Sequence, residues 1–574
     1  MNTENNNNTS NTSRPRRSRG PRRAPAGNRP GGSPTGGRHP RRTPQNKGGG
    51  GKTGGPRKNS RRRHGGNRRR PDKAPALTHR LNAVEHNKGP AIPEITDEDT
   101  VRIIPVSGVE EIGRNMNIIE TKDDIIVVDA GFQFVSEESN APGINYILPN
   151  TQYLEERKHK IRALVVTHGH LDHIGGIPFI MERIGNPPVY TQYLTSLMIL
   201  KRQEEFPQME PLQMNVIKEG ESFTVGNTKV KSFPVTHSIP DAMGIAVETK
   251  HGDVIVTGDI KLVHEDGEVV VEERSSWEKV GEGNNLALLC DSTNAERAGF
   301  SATETRVFQT LEEIITNSTG RLIIGTFASQ FDRLISVINV CEKLGKKVVL
   351  EGRSMKTNVE IALHAKLMEA APGTFIQAGD IGDYPADKIV VLSTGAQGEE
   401  FAALMRMATE KHKFITLNER DTIVLSSSVI PGNEIAVQKL RDNMARRNVK
   451  IVNFQGSHVH ASGHGNAGEL VWVHQAVKPK FLIPVHGHHA FLKAHKAAAV
   501  ENGFPAENVI VPDTGTIIDI KNGNELIRQP MSIPNELLMV DGFTVGARQE
   551  VVLRDRQTLA EDGMFLIIAT VNTK

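Results

Sequence analysis

The residues best suited to chemistry sit at the end of an apolar run. "IRALVVT" leads into "HGHLDH", placing His168, His170, Asp172 and His173 in one short loop. A buried strand ending in four such side chains is costly unless their polar atoms find partners, because each unpaired group loses about 1–3 kcal/mol. A shared partner answers all four at once. His168 and His170 alternate and can reach one side of the loop while Asp172 and His173 turn toward another, which suits two metal ions. Imidazole nitrogen and carboxylate oxygen are zinc ligands, and mixed sets of this kind also admit manganese. Further ligands end other short apolar runs: His237 in "PVTHSIPDAMG", Asp259 in "VIVTGDIK" and His486 in "FLIPVHGHH". If these ends converge at one edge of a sheet, they make seven ligands. Two ions about 3.5–4 Å apart can activate water, hold a phosphate and stabilise the charge of in-line displacement. That is phosphodiester hydrolysis. The same centre can open lactams or thioesters, so the substrate must be read elsewhere in the chain. A single histidine is more often a satisfied core or surface residue than a ligand. A four-residue loop with three ordered partners is not explained that way. His488 and His489 lack a spacing that ties them to the cluster and read as surface residues.

The elements that must position these side chains begin at Val101, where short β-branched runs alternate with helical periods. Strands are expected over residues 124–129, 161–167, 254–257, 286–289, 321–326, 347–350 and 389–392. Helices are expected over residues 304–316, 331–344, 359–369, 399–409 and 435–446. The pattern is that of an α/β protein of layered sheets and helices, without an internal repeat. At 574 residues the chain has room for two or three domains. Between Asp259 and His486 lie 226 residues, far more than one strand-and-helix connection needs, so a domain is inserted between these two ligands.

Charge is distributed unevenly. Residues 1–80 hold 22 Lys or Arg against Glu4 and Asp72, a net of +20, which leaves −17 for the rest of a chain whose sum is +3. Residues 1–95 are dominated by Gly, Pro, Asn and Arg and cannot offset their conformational entropy by burial, so a disordered tail is expected. Arg clusters at 61–63 and 68–70 suit salt-dependent, sequence-blind binding to phosphates; the alternative is a solubilising tail. "GGGGKT" is not a phosphate-binding loop, because Asn46 stands where the motif requires Gly. Cys290 and Cys341 exclude a disulfide framework and read as small core residues. No run of 18 apolar residues and no hydrophobic leader is present, so a soluble, cytoplasmic protein without a membrane partner is expected.

The His-x-His-x-Asp-His loop followed by His, Asp and His in that order resembles the metallo-β-lactamase superfamily. The resemblance implies that His168, His170, His237 and Asp259 hold one zinc and Asp172, His173, Asp259 and His486 the other, with Asp259 bridging. It also implies that Asp129 in "IIVVDAG" supports the ligand loop. "LLCDSTNAERAGFSATE", "VVLEGRSM", "STGAQGEEFAALMRMA", "SSSVIPGNE" and "HVHASGHGNAGEL" are similar to the β-CASP insertion of bacterial ribonucleases of the J type, from about Val101 onward. What this implies is an αββα sandwich over residues 96–300 and 461–555, a β-CASP domain over 301–460, and a linker or the start of a C-terminal domain over 556–574. It further implies that Asp291 is a supporting residue and that His464 stabilises the transition state or acts as general acid. Asp172 and Asp259 count among the catalytic groups. His460, Ser462, Gly463 and His464 would hold the 5′ phosphate of RNA, making cleavage processive from that end. Ser238 either faces substrate or is an ordinary loop serine.

The expected activity is that of a two-zinc ribonuclease, 5′-to-3′ exonuclease and endonuclease, on single-stranded 5′-monophosphorylated RNA. Its substrates would be mRNA and ribosomal RNA precursors. The resemblance further implies a homodimer or tetramer and membership of an RNA-degradation complex, although the sequence ends with "FLIIATVNTK" where longer relatives continue into a domain that helps them pair, so that either the sequence is truncated or that domain is absent. Two departures stand out: "SQFDR" places Gln330 and Asp332 where the family has Asn and His, and His488 replaces a common Glu. Competing readings are a DNA-directed β-CASP nuclease, since no residue can be shown to read a 2′-OH, and a non-catalytic RNA-binding scaffold, which has no need of seven ligands.

Overall fold

The computed structural model describes residues 92–135, 143–430, 433–541 and 544–546, with Leu559 and Gly563. All belong to one unit spanning Glu85–Lys574. The basic segment and most of residues 556–574 lie outside the described residues. Residues 93–95, expected in the tail, belong to the fold: Ile95 is buried and Pro93 O accepts a 2.7 Å hydrogen bond from Arg102 Nη1.

Two sheets face one another. The first has eight strands and runs through Thr100–Ser107, Met116–Glu120, Ile125–Val128 and Ile161–Val165 at its centre. The second has six and carries Gly252–Val256, Asn285–Asp291 and Phe481–Val485 in parallel. Their facing residues, among them Ile103, Val128, Val165, Val247, Val256, Leu289 and Ile483, form one core. Helices cover both outer faces, over Ile118, Val127 and Leu164 on the first sheet and over Leu288 and Leu482 on the second. This is the expected αββα sandwich. The strands are apolar on both faces because each sheet is covered on both sides.

The residues between Asp291 and His464 build a third, five-stranded sheet, wholly parallel, from Leu322–Thr326, Lys347–Glu351, Ile389–Ser393, Thr422–Ser426 and Lys450–Asn453. Helices Glu304–Asn317, Phe331–Lys343 and Arg353–His364 pack on one face; Ala403–Ala408 and Glu434–Ala445 pack on the other. Two helices differ from expectation. The helix expected at 359–369 starts six residues earlier, at Arg353 after the positive-φ Gly352, and ends at His364. The one expected from Glu399 begins at Ala403, because Gly395 and Gly398 hold positive φ and keep the preceding segment a turn.

Candidate metal centre

Each candidate ligand follows the C-terminal end of a strand, and those ends meet at one edge, through parallel pairing for Asp259 and His486 and through two antiparallel steps for His237, which follows Thr228–Pro234. His168, His170, Asp172 and His173 follow Ile161–Val165; Asp259 follows Gly252–Val256; His486 follows Phe481–Val485. Two non-glycine residues turn abruptly there, Asp129 at φ 63° and His486 at φ 55°. Left-handed backbone costs an ordinary residue about 1–2 kcal/mol, so packing must hold both turns. Close approach also requires Gly131: a Cβ on it would lie 1.6 Å from the carbonyl oxygen of Asp172.

Asp259 divides the ligands. Its Oδ2 lies 3.5 Å from His168 Nε2 and 3.6 Å from His237 Nε2. His170 Nδ1 is 3.1 Å from both of those nitrogens. Its Oδ1 lies 3.2 Å from His173 Nε2 and 3.4 Å from His486 Nε2, and the latter is 3.4 Å from Asp172 Oδ2. Ligand bonds of about 2.0–2.1 Å in tetrahedral geometry place neighbouring donors about 3.3 Å apart, close to these separations. Two groups result, His168, His170, His237 and Asp259 on one side and Asp172, His173, Asp259 and His486 on the other. Asp259 Oδ1 is buried without a hydrogen-bond partner, an orphaned atom that a bound cation would relieve; His170 Nε2, also without one, lies on the side of the ring away from the cluster.

The electrostatics fit positive charge. Burial holds His168 and His237 well below the ordinary imidazole range and His170 at about 4, leaving their lone pairs free. Burial acts against charge at His173 and His486 too, but there Asp259 and Asp172 outweigh it, drawing His173 up and His486 up to about 9. That half of the cluster attracts a cation.

The nitrogens facing away from the cluster are held as metal-binding imidazoles usually are. Asp129 Oδ2 meets His173 Nδ1 at 2.8 Å, while its Oδ1 accepts from the backbone N–H of Thr167 at 2.8 Å. Thr167 Oγ1 meets His168 Nδ1 at 3.1 Å. The Gly463 carbonyl meets His237 Nδ1 at 2.6 Å, and Thr293 Oγ1 meets His486 Nδ1 at 2.6 Å. Asn115, unsuspected in "GRNMN", donates to the Asp172 carbonyl at 3.2 Å and lies 3.0 Å from His173 Nε2. Nothing in its local sequence marks it; only the fold brings it here. Thr293 could have been found from its place two residues after Asp291.

His464 lies over the cluster, Nδ1 on Asp291 Oδ2 at 2.7 Å and Nε2 4.0 Å from Asp259 Oδ2. Burial disfavours its charge, yet Asp291 and Asp259 raise its proton affinity. The neighbouring residues are less free than a phosphate pocket alone would need. Ser462 Oγ accepts from Asn294 Nδ2 at 2.8 Å and from the His464 N–H at 3.2 Å. His460 Nδ1 accepts from Arg333 Nη1 at 2.9 Å, and its Nε2 is buried without a partner. Arg333 is itself buried and paired with Glu304 at 2.6 Å, which Lys261 approaches at 3.5 Å. In the divergent "SQFDR" run, Gln330 is buried and Asp332 exposed. Ser238 Oγ is 3.4 Å from His237 Nε2, beside the ligands. His488 is half-buried, its Nδ1 3.4 Å from the Glu110 carbonyl, and His489 faces Asp513.

Comparison with known proteins agrees with this geometry. The "Beta-lactamase superfamily domain" matches residues 125–276, the "Ribonuclease J, beta-CASP domain" residues 319–444, and the "Zn-dependent metallo-hydrolase RNA specificity domain" residues 451–512. Ribonuclease J2 of Bacillus subtilis (strain 168) is 34% identical over 474 residues, covering 83% of this chain and 84% of that protein. The chain belongs to the ribonuclease J family. It is therefore a hydrolytic nuclease of the metallo-β-lactamase and β-CASP type. Ribonuclease J of Corynebacterium glutamicum is 36% identical over 498 residues, 87% of this chain and 67% of that one. A crystal structure of a protein of unknown function from Enterococcus faecalis V583, 18% identical with a TM-score of 0.51 and spanning 73% of this chain and all of that one, shares the fold. Among the described residues no helix is long and apolar enough to cross a membrane.

Proposed function

We propose that the chain is a two-zinc ribonuclease that degrades 5′-monophosphorylated single-stranded RNA from its 5′ end and also cuts internally, in mRNA decay and ribosomal RNA maturation. The observation that carries this reading is the division of seven ligands into two groups by the two oxygens of Asp259. Residues 96–300 and 461–555 act as the catalytic fold and 301–460 as the inserted domain. His168, His170, His237 and Asp259 would hold one ion, and Asp172, His173, Asp259 and His486 the other. Bound there, the ions supply Lewis-acid stabilisation of a phosphoryl group and an activated water for in-line displacement; zinc suits the donors, and manganese is compatible.

The chain's own residues do the rest. Asp291 holds His464 Nδ1, so that Nε2 can present a proton to a phosphoryl or leaving oxygen beside Asp259. Asn115 fixes the Asp172 backbone, and Asp129 fixes the His173 ring. His460, Ser462, Gly463 and His464 border the position for a 5′ phosphate, where Gly-rich backbone can offer N–H donors. A phosphate held at a set distance from the ligands makes cleavage a stepwise, end-counting process. The unoccupied nitrogen of His460 and the nearby Arg333 and Lys261 favour an anion there.

The test digests matched RNA and DNA bearing 5′ monophosphate, triphosphate or hydroxyl ends, with metal content measured on the same preparation. Preference for monophosphorylated RNA, lost in Asp172→Ala while RNA binding persists, is the expected result. Undiminished cleavage by that variant refutes the metal assignment, and equal cleavage of DNA refutes RNA as the selected substrate.

A further inference from the structure

On the outer face of the second sheet lies another set of side chains with metal-ligand chemistry, unused by the reaction above. Neighbouring residues of a strand face opposite sides, so Asp291 enters the catalytic cluster while Cys290 enters the apolar layer behind it. There it meets His474, from helix Ala467–Val477, and His495, from helix His489–Glu501. One ligand atom from each lies within 4.8 Å of the others, and the residues are 0%, 5% and 0% exposed.

The surroundings are Leu470, Val473, Val477, Leu482 and Ala499. A buried thiol is ordinary in such a layer, but two fully enclosed imidazoles beside it are not, since histidine is only intermediate in its tendency to be buried. The two rings face one another, Nε2 to Nε2 at 2.8 Å with planes 12° apart, so one N–H donates to the other nitrogen; an ion taken up beside Cys290 would replace that hydrogen bond, the displaced proton moving to the donor ring's other nitrogen and the two Nε2 atoms parting to about 3.3 Å. The second nitrogen of His495 is fixed by Ser292 Oγ at 2.8 Å, the kind of hydrogen bond that orients a metal-binding imidazole. Burial keeps both rings neutral, so no imidazolium charge opposes a cation there.

Charge selects the ion. A thiolate and two neutral imidazoles carry one negative charge, and no carboxylate joins the group. A monovalent ion leaves the site neutral, whereas a divalent one strands a positive charge in an apolar layer. Thiolate and imidazole favour copper(I) and zinc(II) among common ions. We infer that Cys290, His474 and His495 form a buried site for a thiophilic metal ion, copper(I) in preference to zinc(II). On binding, the Cys290 S–H bond is exchanged for a sulfur–metal bond, the proton leaves to solvent, and no electrons are transferred.

The full chain, stripped of metal, is titrated separately with cobalt(II), zinc(II) and, under anaerobic reducing conditions, copper(I). None of the seven proposed catalytic ligands is sulfur, and Cys341 lies in the inserted domain. A near-ultraviolet sulfur-to-cobalt band therefore reports Cys290 alone. The band and one equivalent of copper(I) are expected in the parent chain, lost in Cys290→Ser, weakened in His474→Leu and retained in Asp172→Ala. The last variant keeps this result separate from the fate of the catalytic centre. If Cys290→Ser does not fold, as judged by circular dichroism, His474→Leu carries the comparison. Absence of the band together with copper uptake indifferent to these substitutions overturns the site. Zinc uptake without copper(I) uptake overturns the preference for a monovalent ion.

Discussion

Asp291→Asn is the sharpest probe of the catalytic reading, because the change is isosteric and its consequences can be worked from hydrogen bonds. Asp291 Oδ1 accepts from the Thr293 N–H at 2.9 Å, and Oδ2 accepts from the Ile260 N–H at 3.2 Å as well as meeting His464 Nδ1 at 2.7 Å. Each oxygen thus faces a backbone donor, and an amide NH₂ placed at either position meets an N–H head on. The charge-assisted bond to His464 is worth about 1.5–3 kcal/mol, and at about 1.4 kcal/mol per tenfold change a rate loss of roughly 10- to 150-fold follows. The pH profile should move as well. The carboxylate raises the proton affinity of His464 against the effect of burial, and a general acid works only while protonated. Activity is present below its pKa and lost as pH rises through it, so the alkaline limb of kcat shifts to lower pH in the variant. Single-turnover cleavage of 5′-monophosphorylated RNA across pH, with metal content determined in parallel, makes the measurement. A rate within threefold of the parent with an unmoved alkaline limb refutes the role given to His464. A loss fully matched by loss of metal would instead make Asp291 a support of the ligands.

Three other perturbations test separate links. Gly131→Ala drives a Cβ into the Asp172 carbonyl; it should cost at least the 1–3 kcal/mol typical of overpacking, seen as a lower Tm together with weaker metal retention. Removal of residues 1–91, stopping short of the buried Ile95, should flatten the dependence of log affinity for RNA on log salt in a binding titration; an unchanged slope leaves that segment a solubilising role. Chelation should lower Tm, since an ion at 100 times its Kd contributes about 2.7 kcal/mol, and calorimetry with and without added zinc reads the difference.

The clustering of the candidate ligands was legible because chemistry and fold leave the same mark: an apolar run ending in a polar side chain is both a buried strand and a candidate donor. His168, Asp259 and His486 all carry it. Their allotment to two groups needed the family pattern, since spacing alone does not say which oxygen of Asp259 faces which ring. Residues acting across the fold left no such mark. Asn115 reaches Asp172 over 57 positions, and the Gly463 carbonyl reaches His237 over 226. His460 and Ser462 were visible as polar residues in a Gly-rich turn, but their existing partners, Arg333 and Asn294, were not. Helix boundaries failed where glycine at positive φ, not hydrophobic period, set the start.

The last ligand lies far down the chain from the others, with 226 residues separating His486 from Asp259. At a synthesis rate of about 5–20 residues per second, that stretch takes roughly 10–45 s to emerge. Throughout that time the nascent chain displays six of its seven donors and none of the strand that aligns the seventh. On the proposed metal assignment, the centre therefore stays incomplete until the strand Phe481–Val485 and His486 have been made.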